Sequence, residues 1–117
     1  MNKRTKFTII LTPGTHAYEP VKHALNEYLS TYYGGCTHID CEGSWREDAC
    51  EFKPRYDASL ITEKSLCVWC AVMPDKAERF VDELRAFLTI LKKQQNAEFS
   101  FIHIESQTVA AHHQLID

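Results

Sequence analysis

No stretch of this 117-residue chain is apolar for long enough to cross a membrane, since a spanning helix needs a run of about 18 such residues. The apolar segment Phe7–Leu11 behind the basic N-terminal residues is too short for a secretory leader and is broken by Pro13. A cytoplasmic location is therefore expected, with no membrane partner. A surplus of positive charge is also missing. Thirteen Lys and Arg stand against sixteen Asp and Glu, a net charge of −3, which argues against general nucleic-acid binding, because neutralising phosphates takes excess Lys and Arg. Lys3, Arg4 and Lys6 cluster, but so short a terminal run reads as a solvated end. An even cysteine count is absent as well: five cysteines fit a reducing compartment better than a disulfide framework. There are no repeats or low-complexity tracts, no Ser-His-Asp order, no Gly-rich phosphate loop and no Walker pattern.

What remains is ordinary globular composition, 44% hydrophobic and 25% charged, in a length that suits one domain over 1–117. Thr5–Thr12 alternates, with Phe7, Ile9 and Leu11 on one side and Thr8 and Ile10 on the other, and so predicts a strand ended by Pro13-Gly14. Val21, Ala24, Leu25, Tyr28, Leu29 and Tyr32 draw one apolar stripe down a helix over 19–33, with Pro20 in its first turn and Gly34-Gly35 as its stop. Cys36–Cys41 reads as a short second strand and 42–57 as a loop or protruding hairpin. Ala58–Met73 reads as a long third strand. Asp75 is expected to cap a second helix, with Glu78 as its capping-box partner. Ala77, Phe80, Val81, Leu84, Phe87, Leu88 and Leu91 form that helix's stripe, and Lys92-Lys93 suits its C-terminal dipole. Phe99–Glu105 alternates as a last strand. The core then spans about 5–105 and the tail 106–117, the usual extent of one domain.

Two strand–helix units joined by a central strand pair predict an α+β, ferredoxin-like βαββαβ fold: an antiparallel sheet with both helices on one face. Leu66–Met73 is apolar on both faces, whereas a strand on a solvated antiparallel sheet is polar on one. Leu66, Val68, Cys70 and Val72 can meet the helices. Cys67, Trp69, Ala71 and Met73 then need another cover, and a second copy of the chain is the expected one.

Several groups invite a chemical reading. Cys67-x-x-Cys70 lies mid-strand, where residues three apart point to opposite faces, so buried apolar cysteines are the better interpretation. Cys36, His38 and Asp40 alternate on one strand face and resemble the start of a metal site, but no second ligand pair has the spacing to complete it, and neither metal nor cofactor is expected. The turn Thr12-Pro13-Gly14-Thr15-His16 leads from strand to helix and can offer N–H groups and hydroxyls to an anion, which makes Thr15 and His16 candidate ligand residues. His16, Glu63 and Glu105 are lone candidate bases with no visible partner.

Gly34-Gly35-Cys36-Thr37, followed after five residues by Gly43-Ser44-Trp45, resembles small ferredoxin-like families that share Gly-Gly-x-Thr and Gly-x-Trp at this spacing. A further Glu-x-Ser, here Glu63 and Ser65, opens the following strand in those families. The resemblance covers roughly Phe7–Glu105 and implies the fold, with no activity attached. The chain departs from it in its cysteine-rich strands and its longer 46–57 insert. Trp45 offers a stacking face. Convergence of Trp45, Arg46, Tyr32, Tyr33 and Thr37 at one sheet end would make a pocket for a small anionic or nucleotide-like ligand.

Acylphosphatases require an Arg-bearing glycine loop after the first strand, and copper chaperones a Met-x-Cys-x-x-Cys loop there; both are missing. RNA-recognition motifs carry basic residues on central strands, where Leu66–Met73 has no charge. In size and build the chain resembles phage-encoded oligomers that sequester nucleotide signals, which implies a non-enzymatic ligand-binding oligomer in a host cytoplasm. Two alternatives stand beside it. One is a small enzyme of the dimeric α+β barrel kind, with His38, His103 or Glu63 in its cavity. The other is a regulatory module that contacts another protein through Trp69 and the tail.

Overall fold

Side-chain alternation gives the sheet two unlike faces, and the helices take the apolar one. The computed structural model describes residues 2–117. The element order is β1 (Lys3–Leu11), α1 (Tyr18–Tyr33), β2 (Thr37–Arg46), β3 (Leu60–Val72), α2 (Pro74–Gln95) and β4 (His103–Ala110), an α+β arrangement. The strands form one antiparallel sheet in the order β2-β3-β1-β4.

The β1–β3 register sets Phe7 against Cys70, Ile9 against Val68 and Leu11 against Leu66. These six side chains share one face and are all buried. Val21, Leu25 and Leu29 of α1, with Phe80, Leu84, Leu88 and Leu91 of α2, complete a single core over that face. Full burial of each such side chain stabilises the fold by roughly 1.5–3 kcal/mol. Phe7 and Phe80 stack with centroids 4.1 Å apart, locking β1 to α2. α1 stops where the sequence places its stop: Gly34 is left-handed at φ 91°, and its N–H reaches the Ser30 carbonyl.

Several boundaries differ from expectation. β2 runs past Cys41 to Arg46, because every residue from Thr37 to Arg46 finds a partner on β3. The β1–β3 pairing ends at Leu11 and Leu66, so the outer parts of β2 and β3 form a two-stranded arm beyond the body of the sheet. The 46–57 segment lies at the tip of this hairpin, in a turn where Glu47 N–H donates to the Ser59 carbonyl. β4 is shifted toward the C-terminus: Phe99 leaves the strand to enter the core, and Val109, assigned to the tail by sequence, belongs to β4. Asp75 does not cap α2. Pro74 occupies its first turn, Met73 is the N-cap, and no side chain bonds to that end.

The second face carries Cys67, Trp69 and Ala71 as expected, with Ile39 of β2 exposed beside them. Met73 is not on the sheet but at the helix start. The face is also more polar than β3 alone indicates. Lys6 and Thr8 of β1, and Glu105 and Gln107 of β4, lie in the same rows as Ala71 and Trp69. Lys6 Nζ lies 5.8 Å from the Trp69 ring centre. Among the described residues, no helix is long and apolar enough to cross a membrane.

Candidate functional site

Where β1 stops and β3 continues, the sheet opens a notch. The turn after β1 closes it from one side and the free edge of β3 from the other. The result is a cleft of about 520 Å³ lined by Gly14, Thr15, Tyr18, Glu19, Thr62, Glu63, Lys64 and Glu98. Gly14 is left-handed at φ 91°, and a methyl group there would overlap the Glu98 carboxylate. Glu98 in turn donates its backbone N–H to the Pro13 carbonyl at 3.0 Å, which holds its carboxylate over the turn. Three carboxylates and one ammonium thus surround the cleft. Its field favours a cation. Glu63 is half-buried, whereas Glu19 and Glu98 are exposed.

Tyr18 builds the floor. Its ring is buried, and its hydroxyl lies 2.5 Å from Asp40 Oδ1 and 3.0 Å from the Ser65 carbonyl. Burial and then the bond to Asp40 push the phenol well above its ordinary range, so it stays neutral and donating. That hydroxyl, and next the Lys22 ammonium at 3.2 Å, hold the Asp40 carboxyl below the usual carboxylate range. Lys64 Nζ sits 4.2 Å from the Tyr18 ring centre.

On the sheet face next to the cleft, Gly43 is opposite Glu63. A methyl group on Gly43 would come within 2.9 Å of Ser65 Oγ and 3.4 Å of the Trp45 ring. The glycine is thus the gap into which Ser65 and Trp45 close. Ser65 Oγ and Thr12 Oγ1 are 2.7 Å apart and share a hydrogen bond. An indole face, two hydroxyls and the Glu63 carboxylate therefore group around one position on the open face. Of this set the Trp45 ring and the Glu63 carboxylate stay partly exposed, while Ser65 is buried with its hydroxyl bonded to Thr12.

The structure divides the residues expected to make one pocket. Thr15 lines the cleft, but Trp45 does not: it pairs with Ile61 and projects from the sheet face opposite to Thr62 and Lys64. His16 is at the same end but its Nε2 donates to the Asn96 carbonyl at 2.8 Å. Thr37 shares Trp45's face but pairs with Trp69 at the far end of β2, about 26 Å away for eight residues of strand. Arg46 follows Trp45 directly, so it projects from the opposite face, where its Nη1 donates to the Ala58 carbonyl. Tyr32 and Tyr33 end α1; Tyr33 packs edge-on against Phe80 at 4.9 Å, away from the cleft. Cys36 and Asp40 are otherwise engaged, Cys36 Sγ with Asn26 Oδ1 at 3.5 Å and Asp40 with Tyr18 and Lys22. Among the described residues, no three His, Cys, Asp or Glu side chains converge on a metal position. His103 and Glu105 pair with each other at 2.6 Å on β4. Tyr18, Glu19, Thr62, Lys64 and Glu98 were not singled out from the sequence as site residues. Only the glycine turn and the Glu63–Ser65 pair signalled this end of the molecule.

No family model matches the chain, and no curated protein matches it. Among solved structures, a phage SAM lyase in complex with S-methyl-5′-thioadenosine is similar, with a TM-score of 0.55 and 13% identity over 92% of this chain and 90% of that one. That likeness shows a shared fold across nearly the whole of both chains.

Proposed function

We propose that the chain is a phage-type protein that binds S-adenosylmethionine (SAM), or a related 5′-thioadenosine, at the notch between the β1–α1 turn and the β2–β3 arm, and cleaves it as a lyase. The observation that carries this reading is the cleft's charge, three carboxylates against one ammonium, on a fold shared with a SAM lyase. SAM has a sulfonium, an ammonium and one carboxylate, a net charge of +1, and so complements the cleft. A nucleotide monophosphate does not, and the anionic ligand expected from the sequence is less well suited to this place. Thr15 and Thr62 of the lining supply hydroxyls, and Glu63, half-buried at the notch, supplies a carboxylate for the sulfonium.

The chemistry asks little of a small protein. When the bond between sulfur and the methionine γ-carbon breaks, sulfur keeps the electron pair and leaves as neutral S-methyl-5′-thioadenosine, while the substrate's own carboxylate oxygen bonds to that carbon and closes a lactone that keeps the ammonium charge. No oxidant, reductant or metal enters the balance. The βαββαβ element order and the β2-β3-β1-β4 sheet order support assignment to the ferredoxin-like type.

The second reading is sequestration: an oligomer that holds a nucleoside-type signal without turnover. It is favoured by the second sheet face, where Trp69 is half-buried and Ile39 is 48% exposed, a surface suited to another copy of the chain. Incubation with SAM followed by mass spectrometry of the small molecules separates the two. S-Methyl-5′-thioadenosine appearing in proportion to time supports the lyase; SAM retained intact on the protein supports sequestration; neither binding nor product refutes both.

A further inference from the structure

A second cleft, of about 470 Å³, lies between the C-terminal half of α2 and the segment leading into β4, within the roughly 300–1,000 Å³ of small-molecule sites. Its charge is opposite to that of the notch. Arg85, Lys92 and Lys93 line it, with no carboxylate among the lining residues. None of the three takes part in an ion pair among the described residues. On a chain with a net charge of −3, three unpaired cations around one depression are an uneven distribution. The helix dipole accounts for Lys92 and Lys93, which stand in the last turn, but its influence fades within that turn. It does not reach Arg85, two turns earlier. Phe99 closes the floor, with Lys92 Nζ 5.8 Å from its ring centre. Phe101 stands at the rim with 74% of its surface in solvent.

We propose that this cleft binds a phosphorylated nucleoside, with the phosphate held by Arg85, Lys92 and Lys93 and the base stacked on Phe101. Arg85 supplies a planar fork for two phosphate oxygens, and the lysines supply point charges. An exposed phenylalanine gains from being covered by a base, a stacking contact that tolerates any base. The site is separate from the cation-favouring notch, so the chain presents two clefts of opposite sign to two kinds of nucleoside.

Calorimetric titration of the full chain with AMP, inorganic phosphate and adenosine tests the assignment. AMP should bind more tightly than either part alone and weaken as salt is raised. Arg85→Gln should weaken AMP about tenfold, the loss of one charge-assisted contact, and Phe101→Ala should weaken AMP while leaving phosphate unchanged. Glu63→Gln should leave AMP unchanged, which keeps this site distinct from the notch. Both exposed variants should unfold at the wild-type temperature. AMP binding that is absent at about 10 mM, an affinity too weak to register as a site, would overturn the proposal. So would AMP binding equal in wild type, Arg85→Gln and Phe101→Ala.

Discussion

Filling the gap at Gly43 is the sharpest test of how the candidate site is built. A methyl group there meets Ser65 Oγ at 2.9 Å and the Trp45 ring at 3.4 Å. The first contact is too close to survive, and Ser65 is only 1% exposed, so it has little room to move. It can turn away only by giving up its 2.7 Å hydrogen bond to Thr12. Overpacking of this kind costs about 1–3 kcal/mol, and removing a strand glycine returns roughly 0.5–1. Gly43→Ala should therefore destabilise by about 1–2 kcal/mol, a fall in Tm of about 4–8 °C for a domain of this size. Ser65→Ala alone loses the Thr12 bond and costs about 1 kcal/mol. The double variant has no Oγ to clash, and the remaining Ser65 Cβ lies 3.8 Å from the new methyl. The two changes should therefore fall short of additive by about 1 kcal/mol in a double-mutant cycle. Urea unfolding followed by circular dichroism, with the combined emission of Trp45 and Trp69 as a second probe, measures all four species. Additivity within about 0.3 kcal/mol, or a Gly43→Ala protein more stable than wild type, would refute the packing described here.

Three further outcomes follow from other parts of the molecule. Burial pushes the Cys70 thiol up to about 12 and also raises Cys67 and Cys36, while Cys50 is exposed. The fastest phase of labelling by Ellman's reagent at pH 8 should thus belong to Cys50, with half-buried Cys41 next; a fast phase that persists when both are replaced by serine would contradict the shielding assigned to Cys36, Cys67 and Cys70. Asp40 is held below the ordinary 3.8 by Tyr18 and Lys22, so the native state favours its carboxylate. Its contribution is present above that value and is lost as pH falls through its own lower one. Asp40→Asn should flatten the acid limb of Tm against pH, and an unchanged slope below 3.8 would contradict the pairing. Trp69→Glu places a charge on the open sheet face. If that face joins two copies, the cost is several kcal/mol and the assembly should dissociate in light scattering; an unchanged oligomer would remove Trp69 from the interface.

The sequence revealed those elements whose own side chains carry the pattern. The alternation of Phe7, Ile9 and Leu11 and the stripe from Val21 to Leu29 appear in the structure as read, and the two-faced Leu66–Met73 run does so up to Val72, because burial on one side is written into local spacing. Gly34 ended its helix for a local reason too. The misread boundaries depended on partners distant in sequence. The 42–57 stretch read as a loop or hairpin, yet Gly43 lies within β2 and marks a close approach of Ser65 that only β3 can supply. Phe99 fitted the alternation of a last strand, but the core took it, and pairing with β1 moved β4 onward. The site was half legible. Thr15 and Glu63 each drew attention singly; their meeting depends on β3 running past the end of β1. That overshoot leaves no local signal, and neither does Glu98, brought to the notch by a backbone bond to Pro13.

Native mass spectrometry of the purified chain with S-methyl-5′-thioadenosine and with SAM, for wild type and Glu63→Gln, tests the central claim most directly. The account predicts that wild type takes up the thioadenosine and releases it as product from SAM. It also predicts that Glu63→Gln weakens SAM more than the uncharged thioether, because only SAM presents a cation to the carboxylate. Uptake of neither ligand, or equal uptake of both by the two proteins, would contradict the placement of the nucleoside in this notch.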